Sequence, residues 1–150
     1  MDSSYQNTAE FLAVVAGVTA LAELGYRNIT LRLVGDSMTS LAWGTRERFT
    51  GIICRRASIV YMLLSTKFNI RVADSMHIPG TDNILCDDLS RYAILRTELG
   101  LEPSQLCNCS PSSPINTLLT ICDPTDTSEV SSEESFLEFW ISIHSVLSVL

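Results

Sequence analysis

Positive charge is missing from the last third of this chain: all ten lysines and arginines lie between Arg27 and Arg96, in a sequence of 150 residues. Residues 1–101 also hold ten of the seventeen acids and are therefore neutral, whereas residues 102–150 carry the whole formal charge of −7. A neutral first part neither demands nor forbids a phosphate-bearing partner, and an acidic tail without compensating cations is no nucleic-acid surface. A basic segment is also missing ahead of the apolar stretch at 11–22, which excludes the pattern of a secretory signal. Cysteine is odd in number: Cys54, Cys86, Cys107, Cys109 and Cys122 lack the even count of a disulfide framework and fit a reducing compartment, cytoplasm or nucleus, better. Cys107-Asn-Cys109 has only Cys122 and the distant His144 to complete a zinc site, and neither has ligand spacing, so free thiols are expected. The apolar end from Phe136 to Leu150 is too short and carries too many polar residues, Glu138 and His144 among them, for a membrane span. An amphipathic helix docking on the rest of the chain or on a partner fits it better, and a tail without function is the remaining alternative.

What is present is apolar content of 46%, enough to bury one core. Thr8 to Leu24 predicts a largely buried helix, with Asn7 and Glu10 spaced like a capping box and Gly25 where the helix should stop. Ile29 to Val34 alternates with period two and ends at Gly35-Asp36-Ser37, a strand running into a helix cap. A short helix through Leu41 and Trp43, a break near 44–51 and a helix from Ile52 to Thr66 follow, then a strand from Ile70 to Asp74. Helix alternating with strand predicts an α/β fold with parallel strands. A Pro79-Gly80 turn and Asn83 as an N-cap predict a last helix from Ile84 to Leu99. The organisation expected is thus a domain over 1–101, an acidic Ser/Pro-rich and mostly disordered linker over 102–135, and an apolar segment over 136–150.

His77-Ile-Pro-Gly-Thr-Asp-Asn83-Ile-Leu-Cys-Asp87-Asp-Leu-Ser-Arg91 closely resembles the end of the ribonuclease H domain of gypsy-like and DIRS-like retroelement polyproteins. Thr8-Ala-Glu10-Phe-Leu-Ala-Val-Val resembles that family's helix bearing a catalytic Glu, and Val34-Gly-Asp36-Ser its strand end bearing a catalytic Asp. The resemblance implies a ribonuclease-H-like fold and Mg²⁺- or Mn²⁺-dependent cleavage of the RNA strand of an RNA/DNA hybrid during reverse transcription. It makes Glu10, Asp36 and Asp87 the catalytic, metal-holding carboxylates, with Glu10 and Asp36 on one ion and Asp87 on the other. Such chemistry needs converging hard oxygens, because two ions about 4 Å apart must stabilise both the attacking and the leaving oxygen. Asp88 leaves the register of the third ligand ambiguous, although the spacing to Leu89-Ser-Arg91 favours Asp87. His77 takes the place of a turn histidine near substrate, or is structural there. Arg46, Arg48, Arg55 and Arg56 are candidate phosphate contacts to the hybrid, with a solvated surface as the alternative.

The family's first three strands precede this helix and supply the bridging Asp, whereas here nine residues precede Glu10, with Asp2 as the only acid. The expectation from the resemblance is therefore an N-terminally truncated domain with an open strand edge, inactive or nearly so alone. Its partners would be nucleic acid, an upstream polyprotein region or a second copy joined at that edge. A non-catalytic interaction or nucleic-acid-binding relic is the alternative function, and a decayed element the blandest one.

Overall fold

The computed structural model of the chain describes residues 3–46, 55–83, 111–122 and 133–150. Their elements are α1 (Ser3–Glu23), β1 (Ile29–Gly35), α2 (Met38–Arg46), α3 (Arg55–Phe68), β2 (Ile70–His77), α4 (Ser113–Ile121) and α5 (Glu133–Val149). The fold is mixed α/β, and the sheet among the described residues has two parallel strands. Expected helix 84–99 lies outside the described residues.

Helix α1 ends as its glycine requires. Gly25 has φ +86, a left-handed conformation that costs glycine nothing, and the bonds Gly25 N–H to Ala22 O and Tyr26 N–H to Leu21 O close the last turn. Its start differs from expectation: α1 begins at Ser3, so Asn7 and Glu10 lie inside the helix and form no capping box. Instead, the Gln6 amide one turn earlier donates to Glu10 Oε1 at 3.2 Å.

Both strands start from a left-handed asparagine, Asn28 at φ 57 and Asn69 at φ 50, a conformation that Asn tolerates better than most residues. The two side chains bond to each other at 3.0 Å, and Ile29 N–H donates to Asn69 O, so the strands are aligned where they begin. The pairing runs Ile29 with Ile70 to Leu31 with Val72, then Arg32 with Asp74 to Gly35 with His77, leaving Ala73 as an extra residue. That bulge decides a face. Side chains alternate along a strand, so without the extra residue Asp74 would fall on the side of Ile70 and Val72, which are buried. With it, Asp74 comes out beside Arg32, and β2 runs three residues beyond the expected end at Asp74.

The core lies against one face of the sheet, between α1, α2 and α3. Phe11, Trp43 and Tyr61, one from each helix, meet edge to face, and the Tyr61 hydroxyl donates to Gly44 O at 2.7 Å. Leu33 of β1 comes down on Gly44, where a Cβ would sit 2.7 Å from its Cδ1.

Residues 113–121, expected to belong to a disordered linker, form helix α4. Ser112 caps it by accepting from Ile115 N–H at 3.3 Å, Pro114 occupies its first turn, and Leu118 and Cys122 enter the core. Average composition hid this because the apolar run is only a few residues long between polar flanks. Phe139, Ile143 and Val146 of α5, spaced four and three apart, join the same core. Cations from the first part meet the carboxyl ends of both helices: Arg56 donates to Ile121 O at 3.4 Å, Arg27 to Leu150 O at 2.8 Å, and Lys67 to Leu147 O. Each satisfies a carbonyl the helix leaves unpaired and opposes the negative end of its dipole. No helix among the described residues is long and apolar enough to cross a membrane. Cys122 is a buried thiol.

Candidate functional site

A groove of about 730 Å³ runs between α1 and β1. Ala13, Val14, Gly17, Val18 and Leu21 form one wall and Leu31 to Gly35 the other, so most of its lining is aliphatic. Polar residues gather at one end: Glu10 from α1, Asp36, Ser37 and Ser40 from the β1–α2 junction, and Asn83 from the turn after β2.

Each arrives there for a local reason. Glu10 lies two turns inside α1, too far from the amino end for the helix dipole to account for it. One of its carboxylate oxygens accepts from Gln6, while Oε2 is buried with no hydrogen-bond partner. A buried acceptor left so is costly, of the order of 1–3 kcal/mol, unless something absent from the apolar wall satisfies it. Ser37 caps α2 by accepting from Ser40 N–H at 3.3 Å. That leaves Asp36, one residue earlier, unneeded as a cap. Its Oδ1 accepts from Asn83 Nδ2 at 3.4 Å, and its Oδ2 lies 3.4 Å from where a Cβ on Gly80 would be. The turn 79–83 thus folds over Asp36, held by Ile78 N–H on Gly35 O and by Asp82 and Asn83 N–H on Pro79 O.

The structure therefore brings Glu10 and Asp36 to one groove and adds Asn83, expected only as a helix cap. The signal that could have found Asn83 was its place directly after the Pro-Gly turn at the strand end. Asp87 and Asp88 lie outside the described residues, and among the described residues no three His, Cys, Asp or Glu side chains converge as a metal site would require. His77 ends β2, paired with Gly35 and exposed. Of the four arginines, Arg55 is exposed at the start of α3, while Arg56 is half-buried, donates to Ile121 O and lies 5.9 Å above the Phe139 ring. Arg46 is the last residue of α2, and Arg48 lies outside the described residues.

Arg32 and Asp74 form an ion pair of 2.8 Å on the open face of the sheet, with side chains 64% and 56% exposed. Solvent screens such a pair, so Asp74→Asn is expected to change stability by less than about 1 kcal/mol in urea denaturation. A larger loss would mean that the bulge depends on this contact.

The chain is a mixed α/β protein with a polar cluster at the carboxyl end of its first strand, where open α/β sheets commonly place their sites. No protein-family model, curated protein or solved structure matches it.

Proposed function

We propose that this chain is a ribonuclease-H-like domain of the retroelement kind, in which Glu10 and Asp36 are two carboxylates of a Mg²⁺ or Mn²⁺ site. The observation that supports it best is the groove end itself: two acids 26 positions apart in sequence line one groove, and Glu10 Oε2 is buried without a hydrogen-bond partner among the described residues. A hard cation would supply what that oxygen lacks, and carboxylate and amide oxygens are the donors such a cation takes. Asn83, four residues before Asp87, lines the same groove, so the third carboxylate of the resemblance follows closely on a residue already at the site.

In the complete family site, metal ions neutralise the charge that develops on the attacking and leaving oxygens of an RNA phosphodiester. Within this chain, Glu10 and Asp36 line the groove from α1 and from the end of β1, and Asn83 donates to Asp36 at 3.4 Å. Arg55 and His77 are exposed and free to approach a hybrid's backbone. Asp2 is the only acid before Glu10, so the position of the family's bridging Asp has no good counterpart in these 150 residues. Two ions without a common ligand are not fixed relative to each other, and two-metal catalysis then fails for want of geometry. The chain on its own is therefore expected to bind cation weakly and to leave RNA/DNA hybrid uncut. A non-catalytic interaction module on the same fold is the second reading, favoured by an edge of β1 that no strand among the described residues pairs with.

Calorimetric titration of Mg²⁺ and Mn²⁺ into the 150-residue chain should give a dissociation constant of about 1 mM, as expected for a site with few charged ligands. Asp36→Asn should abolish the heat and Glu10→Gln should weaken it, with circular dichroism unchanged in both. Absence of binding in the unsubstituted protein would overturn the metal site. Robust metal-dependent hybrid cleavage that Asp36→Asn removes would instead overturn the expected inactivity.

A further inference from the structure

Along the aliphatic part of the groove, away from the acids, β1 has an edge that no strand among the described residues covers. Ile29 N–H donates to Asn69 O, and Gly35 O accepts from Ile78 N–H, so the odd-numbered residues of β1 turn their backbone groups towards β2. Thr30, Arg32 and Val34 therefore present N–H and C=O to the opposite side, where no element among the described residues pairs with them. The strand also lacks the usual defences of an edge. It has no proline and a single charge, Arg32, which is drawn into an ion pair with Asp74.

We propose that a second copy of this chain occupies this edge, its β1 pairing antiparallel with the first about a two-fold axis through Leu31. The sequence selects both the occupant and the register. Cross-strand partners share a face, so a two-fold pair centred on Leu31 sets Ile29 against Leu33 of the other copy and Leu31 against its own equivalent. Every cross-strand pair on the core side is then aliphatic. On the open face Thr30 meets Arg32, and four N–H···O bonds form between those two residues of each copy. Centring on Arg32 would set two like charges face to face, and centring on Leu33 would waste Leu31 against Gly35. β1 is thus self-complementary in one register and penalised in its neighbours.

The groove wall admits the second copy. A two-fold axis across the sheet puts both α1 helices on the same side, where they must pass close together. Ala13 and Gly17 line that side and are exposed, and a Cβ at Gly17 would meet nothing within 4 Å. The product is a four-stranded sheet, β2-β1-β1-β2, with one continuous layer of helices. Such an interface is isologous and closes at the dimer, so it ends the edge instead of propagating it. It does not rest on the metal site, whose acids lie beyond the paired segment.

Sedimentation velocity of the full 150-residue chain over about two decades of concentration should show a monomer–dimer equilibrium. Thr30→Pro removes an N–H that points out of the monomer's own ladder, so it should leave the circular dichroism intact and weaken association by at least about tenfold, since two of the four bonds go. Gly17→Leu adds side chain into open space in the monomer and into the occupied groove in the dimer, and should weaken association similarly. Leu31→Cys should cross-link two copies through position 31 on mild oxidation, as the close non-hydrogen-bonded pair at the centre requires, whereas Leu33→Cys should not cross-link through position 33. A chain that stays monomeric at all concentrations overturns the proposal. So does a dimer indifferent to both Thr30→Pro and Gly17→Leu, which would join through another face such as exposed Leu137 and Ile141 of α5. Cross-linking through position 33 alone overturns the register.

Discussion

Phe11→Ala is expected to cost about 3–5 kcal/mol, a large share of the roughly 5–15 kcal/mol by which such domains are stable. Phe11 is 0% exposed, and its ring stands edge-on to Trp43 at 5.7 Å and to Tyr61 at 5.5 Å. It joins α1 to both α2 and α3, so truncation removes two ring contacts together. Neither partner can move into the void freely. Tyr61 is held by its bond to Gly44 O, and Gly44 is pinned under Leu33, so the space stays open as a cavity. Urea denaturation followed by circular dichroism measures the cost, with Leu137→Ala as the control. Leu137 is 60% exposed on α5 and should change stability by under about 0.5 kcal/mol. A Phe11→Ala loss of under about 1 kcal/mol would mean that α1 does not pack on α2 and α3 as described.

The parts of the fold that the sequence discloses are those set by local rules. Period-two alternation places β1, Gly25 stops α1, and helix–strand–helix order implies parallel strands; each holds in the structure to within a few residues. The start of α1 was hidden because Asn7 and Glu10 imitate a capping box, and the helix continues past them to Ser3. The bulge at Ala73 has no signature in Arg-Val-Ala-Asp-Ser, since it is settled by which face can afford a carboxylate. Its consequence for the site is large, because the residues after it, His77 and the turn to Asn83, are positioned by that added residue. Helix α4 was invisible to composition because its support comes from elsewhere: Leu118 is helical where α1 gives it a wall.

The site was legible in a different way. Glu10 and Asp36 came from resemblance and carry no strong local signal, yet tertiary folding puts both on one groove. Arg55 and Arg56 show the opposite. Adjacent in sequence, they sit about 100° apart around a helix, so one faces solvent and the other reaches the carboxyl end of α4. Charge counted along a chain does not say where charge is spent. The first part of the chain has neutral bookkeeping, but three of its cations, Arg27, Arg56 and Lys67, are engaged with the carboxyl ends of α4 and α5.

That engagement makes the C-terminal helices part of the core, and it leads to the second large effect. Ile143→Asp is expected to destabilise the protein by about 3–5 kcal/mol or to release α5 altogether. Ile143 is 1% exposed in the same core cluster as Phe139 and Val146, so a carboxylate there would be taken out of water among aliphatic and aromatic side chains. The protein's cheapest response is to swing the helix off and hydrate the acid, which also frees Leu147 O and Leu150 O from Lys67 and Arg27. Ile141→Asp makes the same chemical change two residues earlier, on a side chain 60% exposed, and should be near neutral. Hydrogen exchange separates the outcomes. Loss of protection across 133–150 in Ile143→Asp alone is the expected result; equal protection in both variants would mean that α5 stands off from the domain, and that the core ends at α3.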